Sequence, residues 1–287
     1  DPQKIFQSLN STGLDLSQAD LIRNYILMGL NNRTQIHIYE KFWVVIENNT
    51  TENLSKTNRM SDFIRDYLTF KFGSIPNMNK VFEVFKDKYQ FENEDDLIVL
   101  LEEIKQYSKL YNHFINPETF PIETIRNNLK LIKKLQINVS YPFLLQVFKA
   151  FSDAKISETD LNEVLEIIQS FTWRRFICGV ATNALNKIFM DLYKSIDEDN
   201  FVYSLQVSLI TKKGSQRFPN NEEVLRELMH KDLYNIQAKN RSYFLERIEN
   251  YGHRIQTTIE NNSDVSIEHI FPQRPNPEWK EKLGEQF

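Results

Sequence analysis

The chain has 287 residues, 41% hydrophobic and 13% aromatic, enough for one large domain or two ordinary ones with a buried core. A formal net charge of −4 excludes a global positive field that would pull the molecule onto a polyanion, so any nucleic-acid contact must come from a local basic patch. The single Cys178 excludes an internal disulfide framework and a cysteine-cluster zinc site, and no apolar run reaches the roughly 18 residues of a membrane span. Seven glycines, about a third of average usage, argue against a fold rich in tight turns. With no signal peptide, a cytoplasmic protein is expected.

Asn10-Ser11-Thr12-Gly13 is a turn cluster that feeds a helix. Ser17 is its expected N-cap, with Asp20 at N3 and Leu16 facing Leu21 as a hydrophobic staple. Leu21, Ile22, Tyr25, Ile26 and Met28 form its apolar face, and Gly29 ends it. Three further helices are predicted on Ile38/Phe42/Val45/Ile46, on Phe63/Ile64/Tyr67/Leu68 and on Val81/Phe82/Phe85/Tyr89. Loops separate them at Asn48 to Asn58 and at Gly73 to Asn77. Leu97, Leu100, Leu101, Ile104 and Tyr107 predict a helix from Asp96 to Phe114; after a Pro117/Pro121 break, another runs to Leu135. Its lysines Lys130, Lys133 and Lys134 read as a solvated face, with a phosphate-contacting strip as the alternative.

Tyr141-Pro142 opens a helix to Phe151. Ser157 then repeats the earlier cap, with Asp160 at N3 and Ile156 paired to Leu161. Leu161, Val164, Leu165, Ile168 and Phe171 carry that helix into Trp173-Arg174-Arg175, and the pattern predicts continuation to Leu192 with little break. Adjacent arginines project about 100° apart on a helix, so both cannot be buried on one face. One of them capping or ion-paired internally is the structural account; a bidentate phosphate clamp is the functional one. Phe201 to Leu209 is apolar. Lys212-Lys213-Gly214-Ser215-Gln216-Arg217 is a basic loop, a linker or a contact to a phosphate backbone. Asn220 caps a helix from Glu222 to His230, and another spans Arg241 to Tyr251 before Gly252. The period then changes: Ile255, Thr257 and Ile259 alternate, Asn261 to Asp264 form a turn, and Val265 and Ile267 alternate again, which predicts a β-hairpin.

That hairpin runs into Ser266-Ile267-Glu268-His269-Ile270-Phe271-Pro272-Gln273, where a carboxylate and an imidazole stand side by side before Pro272 and Pro275 stop regular structure. Phosphodiester hydrolysis needs a base to activate water and a divalent metal to stabilise charge, and such a pair can supply both functions. A lone Glu-His pair is more commonly an ordinary strand end. His37, His113, His230 and His253 lack metal-ligand spacing, and no HExxH, GxxxxGK[ST] or GxSxG is present.

Three ordered segments resemble one family. Ser266 to Gln273 is similar to the EHIxPQ signature of the nuclease half of the GmrSD-type modification-dependent restriction endonucleases, a branch of the HNH (His-metal finger) nucleases. Ile5-Phe6-Gln7-Ser8-Leu9-Asn10-Ser11-Thr12-Gly13-Leu14-Asp15-Leu16-Ser17 to Met28 resembles the FxxLNxxGxxLxxxDL segment of its ParB-like, nucleotide-dependent GmrS half. Trp173 to Lys187 resembles its RRxICGxxTNxxNK-like helix.

The resemblance implies a mainly α fold: a multi-helix body with a small C-terminal β-hairpin that begins a truncated ββα-metal finger. It implies residues 1–30 as the end of the GmrS-like domain, 31–252 as a helical linking bundle and 253–287 as the start of the GmrD-like HNH nuclease domain. The chain is then expected to be a piece of a longer protein, lacking an upstream DGQQR-type nucleotide motif and a downstream GNLxL-type segment, and inactive by itself. The parent would be an antiviral defence endonuclease of the type IV restriction class, cutting modified phage or other foreign DNA. Its cofactors would be Mg²⁺ or Mn²⁺ and a nucleoside triphosphate; a homodimer is left open. His269 becomes the general base and Glu268 a metal ligand, where HNH enzymes more often carry Asp. Asn10 and Gly13 become nucleotide-site candidates, and Arg174, Arg175, Lys212, Lys213 and Arg217 DNA-phosphate candidates. Glycosylated hydroxymethylcytosine is the substrate class of the family's name-giver. The rival readings are a non-enzymatic helical scaffold or partner-binding module, and an unspecific HNH nicking nuclease.

Overall fold

The structure, a computed structural model, describes residues 16–253, 257–259 and 276–283. It divides into two units, Asp1–Lys231 and Asp232–Phe287. Among the described residues the architecture is mainly helical, and no helix is long and apolar enough to cross a membrane.

In the first unit, α1 (Gln18–Leu27) opens on a reciprocal capping box: the Ser17 hydroxyl accepts from the Asp20 amide at 3.1 Å, and the Asp20 carboxylate accepts from the Ser17 amide at 3.2 Å. Next come α2 (Asn32–Ile38), a π turn at Tyr39–Trp43, and α3 (Val44–Asn49), continuous in one rod. Then follow α4 (Met60–Phe72), α5 (Val81–Lys88), α6 (Glu94–Ile115), α7 (Glu123–Leu135), α8 (Tyr141–Ser152) and α9 (Glu158–Ile177). The unit closes with α10 (Leu185–Leu192), α11 (Phe201–Ile210) and α12 (Asn221–His230).

Helix α8 is the centre because its sequence leaves almost no polar face. Tyr141, Pro142, Phe143, Leu144, Leu145, Val147, Phe148 and Ala150 are all buried, and a helix apolar all round must be covered on every side. Helices α4, α6, α9 and α10 cover it. Aromatic rings knit the seams: Tyr111 and Phe114 of α6 meet Tyr141 at 5.6 and 5.2 Å between centroids, and Phe143 meets Phe189 of α10 at 6.5 Å. Helix α9 begins on the same capping box as α1, Ser157 with Asp160, and lies along α7.

Two expectations need correcting. Helix α9 stops at Ile177 instead of running to Leu192. Gly179 takes φ +61°, and the Val180 amide bonds back to the Arg175 carbonyl at 2.9 Å, a six-to-one closure that satisfies the helix end. The second correction is the hairpin. Among the described residues no β-strand forms; the sole β pairing is the isolated bridge Thr51–Asn58. Residues 257–259 are described and are not a strand. In the second unit their backbone is bonded instead to side chains of α13 (Ala238–Glu249) and the residue after it. Asn250 Oδ1 accepts from the Thr257 amide at 2.7 Å, Asn250 Nδ2 donates to the Thr257 carbonyl at 2.9 Å, and Glu246 Oε2 accepts from the Ile259 amide at 2.8 Å. Amides that alternation assigns to a partner strand are satisfied by a helix surface. The second unit ends on α14 (Pro277–Leu283), opened by Pro277 and by Asn276, whose side chain accepts from the Trp279 amide at 3.0 Å.

Candidate functional site

Asn10, Gly13, Glu268 and His269 lie outside the described residues. The other candidates, Arg174, Arg175, Lys212, Lys213 and Arg217, come together where the C-terminal turn of α9 meets the segment joining α11 to α12.

Arg175 is only 2% exposed. Its Nη2 donates to the carbonyls of Ala181 at 2.7 Å and Ser215 at 2.9 Å, and its Nη1 donates to the carbonyl of Arg217 at 3.0 Å. The guanidinium also stacks 5.2 Å from the Phe171 ring centroid, and its Nε is buried without a partner. Burial pulls its pKa below the ordinary arginine value, and the Arg217 charge adds to that. Arg174, on the next face, reaches the Pro219 carbonyl at 3.3 Å and the Asn221 side-chain oxygen at 2.7 Å while lying 5.7 Å from the Phe218 ring. The two arginines therefore strap residues 215–221 onto the end of α9.

Arg217 is ion-paired to Glu223 at 2.6 Å, in the first turn of α12. The Arg217 hydrogen bond holds the Glu223 carboxyl below its usual range. Asn220 caps the same turn, accepting from the Glu223 amide at 2.9 Å. Lys212 is half-buried, Lys213 is exposed, and among the described residues neither ammonium is engaged in an ion pair. Their charges face water with the capacity to meet a phosphate backbone.

Sequence reasoning missed Lys231, whose Nζ donates to the carbonyls of Phe176 at 3.1 Å and Ile177 at 3.2 Å. It closes the open carbonyl end of α9 from a distance in sequence that no local pattern signals. Cys178 lies in the same corner, but burial, then Glu223 and Glu227, push its thiol up and keep it in the weakly nucleophilic protonated form.

Residues 218–287 match the family model for the C-terminal domain of the GmrSD restriction endonucleases. The match begins at Phe218, the ring beneath Arg174, and runs through Glu268 and His269. Comparison with curated proteins and with solved structures gives no match. Over residues 218–287 the chain is thus similar to the C-terminal domain of the GmrSD restriction endonucleases, in line with the GmrSD-type resemblance of its short motifs.

Proposed function

We propose that this chain is part of a bacterial defence DNA endonuclease that hydrolyses phosphodiester bonds in foreign, modified DNA, working in the cytoplasm under control of a nucleoside triphosphate. The observation that carries the reading is the family match over residues 218–287, which contains the Glu268–His269 pair. Residues 1–30 would close the nucleotide-dependent domain, with Asn10 and Gly13 near its site; 31–252 would link it to the nuclease segment at 253–287.

In this reading His269 acts as in HNH nucleases: its neutral imidazole takes the proton of the attacking water, and the imidazolium then holds that proton away from the nucleophile. Glu268 would hold the divalent ion. A carboxylate is a hard oxygen donor suited to Mg²⁺ or Mn²⁺, and such an ion stabilises charge on the phosphate and on the leaving oxygen. Glu268 is the one metal ligand proposed on this chain, and the remaining ligands are proposed on the parent protein's segment downstream of it. The unpaired charges of Lys212 and Lys213 support a phosphate contact there, with Arg217 beside them. Arg174 and Arg175 would fix the backbone from which those lysines project.

The test uses the complete parent protein and its His269→Ala variant on plain, hydroxymethylated and glucosylated DNA, with Mg²⁺ or Mn²⁺, with and without nucleoside triphosphates. Cutting by the parent and none by the folded variant is expected, with modified DNA preferred. Equal cutting of all three DNAs would point to an unspecific nicking nuclease. No cutting of any DNA by the parent would point to a helical scaffold.

A further inference from the structure

The first unit contains a cavity of about 530 Å³, within the roughly 300–1,000 Å³ of small-molecule sites. It opens between the polar stripe of α4, carrying Asp62, Asp66 and Thr69, and the tyrosines Tyr111 of α6 and Tyr141 of α8. Tyr111 is 2% exposed and Tyr141 4%, yet among the described residues neither hydroxyl makes a hydrogen bond, and neither does the Asp66 carboxyl. These three oxygens line one cavity without protein partners, so they are available to the donors of a ligand.

The surroundings narrow its chemistry. Charges elsewhere on the wall are engaged: Arg59 pairs with Glu52 at 2.9 Å and lies 3.7 Å from Asp62, and Lys133 donates to the Ile115 carbonyl. Arg65 uses its Nε on the Pro76 carbonyl at 2.8 Å, leaving its terminal nitrogens for another acceptor. An anion alone would meet Asp66. A hard metal ion would find too few ligands, since one carboxylate and two phenols fall short of the six or more oxygens it requires. A primary ammonium has three N–H donors and a positive charge, and three oxygens, one of them carboxylic, match it.

We infer that this cavity binds a small zwitterion of the α-amino-acid class, its ammonium held by Asp66, Tyr111 and Tyr141 and its carboxylate received by the Arg65 side of the wall. Burial raises the Asp66 carboxyl well above the ordinary range, with Arg65 opposing the shift and Asp62 adding to it. The Asp66 charge in turn raises both phenols after burial has done so. An ammonium in the middle relieves all three.

The experiment is isothermal titration of the full 287-residue chain with the proteinogenic amino acids, and with methylamine and acetate as the two half-ligands. Saturable binding of at least one amino acid is expected, tighter than methylamine, with acetate silent. Asp66→Asn should weaken it by roughly tenfold or more, the loss of one charged hydrogen bond, with an unchanged circular dichroism spectrum. Tyr141→Phe should weaken it several-fold and serves as the test if the first variant does not fold. Silence with every amino acid, or undiminished binding to Asp66→Asn, overturns the inference. Methylamine binding as tightly as any amino acid overturns the carboxylate half of it.

Discussion

The Arg175 guanidinium donates at 2.9 Å to the main-chain carbonyl of Ser215, forty residues further along the chain, and this places a full positive charge inside the protein on neutral acceptors. Three carbonyls share it, from Ala181, Ser215 and Arg217, and no carboxylate does. A cation so held is worth more to local geometry than to net stability, because desolvation offsets much of each bond. Removing it is costly all the same, since three part-buried hydrogen bonds are lost together and the cavity left by the side chain is not refilled. Arg175→Ala is therefore expected to destabilise the first unit by about 3 kcal/mol, and Arg175→Lys by somewhat less because an ammonium cannot span the same fork. Urea unfolding followed by circular dichroism measures both.

Lys212 and Lys213 should behave in the opposite way. Their double alanine variant is expected to unfold like the parent but to bind duplex DNA more weakly. The slope of log affinity against log salt should fall by about 2, since each phosphate that a lysine neutralises adds about 0.9 to it. An unchanged slope would remove the basic loop from the DNA interface.

The pH dependence of stability carries the signature of Asp66. Its folded pKa is raised above the unfolded value, so its contribution is fully present below about pH 4 and is lost as pH rises through the folded pKa. Asp66→Asn, which cannot ionise, should melt at a higher temperature than the parent at about pH 7.5, with the difference closing toward about pH 4. Thermal melts across that range check the sign.

Asn250 bonds both backbone groups of Thr257, one as acceptor and one as donor. Asn250→Ala should expose the Thr257 amide and raise its hydrogen-exchange rate by roughly tenfold, a loss of about 1 kcal/mol. Exchange across α4 should not change.

What the sequence made legible was local. The boxes at Ser17–Asp20 and Ser157–Asp160 were readable because all their partners fall within four residues. The all-round apolar run from Tyr141 to Ala150 marks a buried helix for the same reason. Whatever depended on distant partners was hidden. The alternation of Thr257 and Ile259 reads as a strand because nothing in it shows that Glu246 and Asn250 will take those amides. The arginine pair announces that its members face different ways, but not that the inner one ends on carbonyls of a loop forty residues on. The cavity joins Asp66, Tyr111 and Tyr141 from three helices, a juxtaposition with no trace in spacing. The family resemblance was legible in three short ordered segments, and the match over 218–287 agrees with the C-terminal one.

The strap between α9 and residues 215–221 has a consequence for proteolysis. Lys212 and Lys213 offer a trypsin-type site just before the strapped stretch, while Arg174 and Arg175 grip the chain on its far side at Arg217, Pro219 and Asn221. A nick after Lys213 would cut the polypeptide without releasing the C-terminal piece, which would co-elute with the helical body until denatured. Across such a nick the two arginines would serve as the splint.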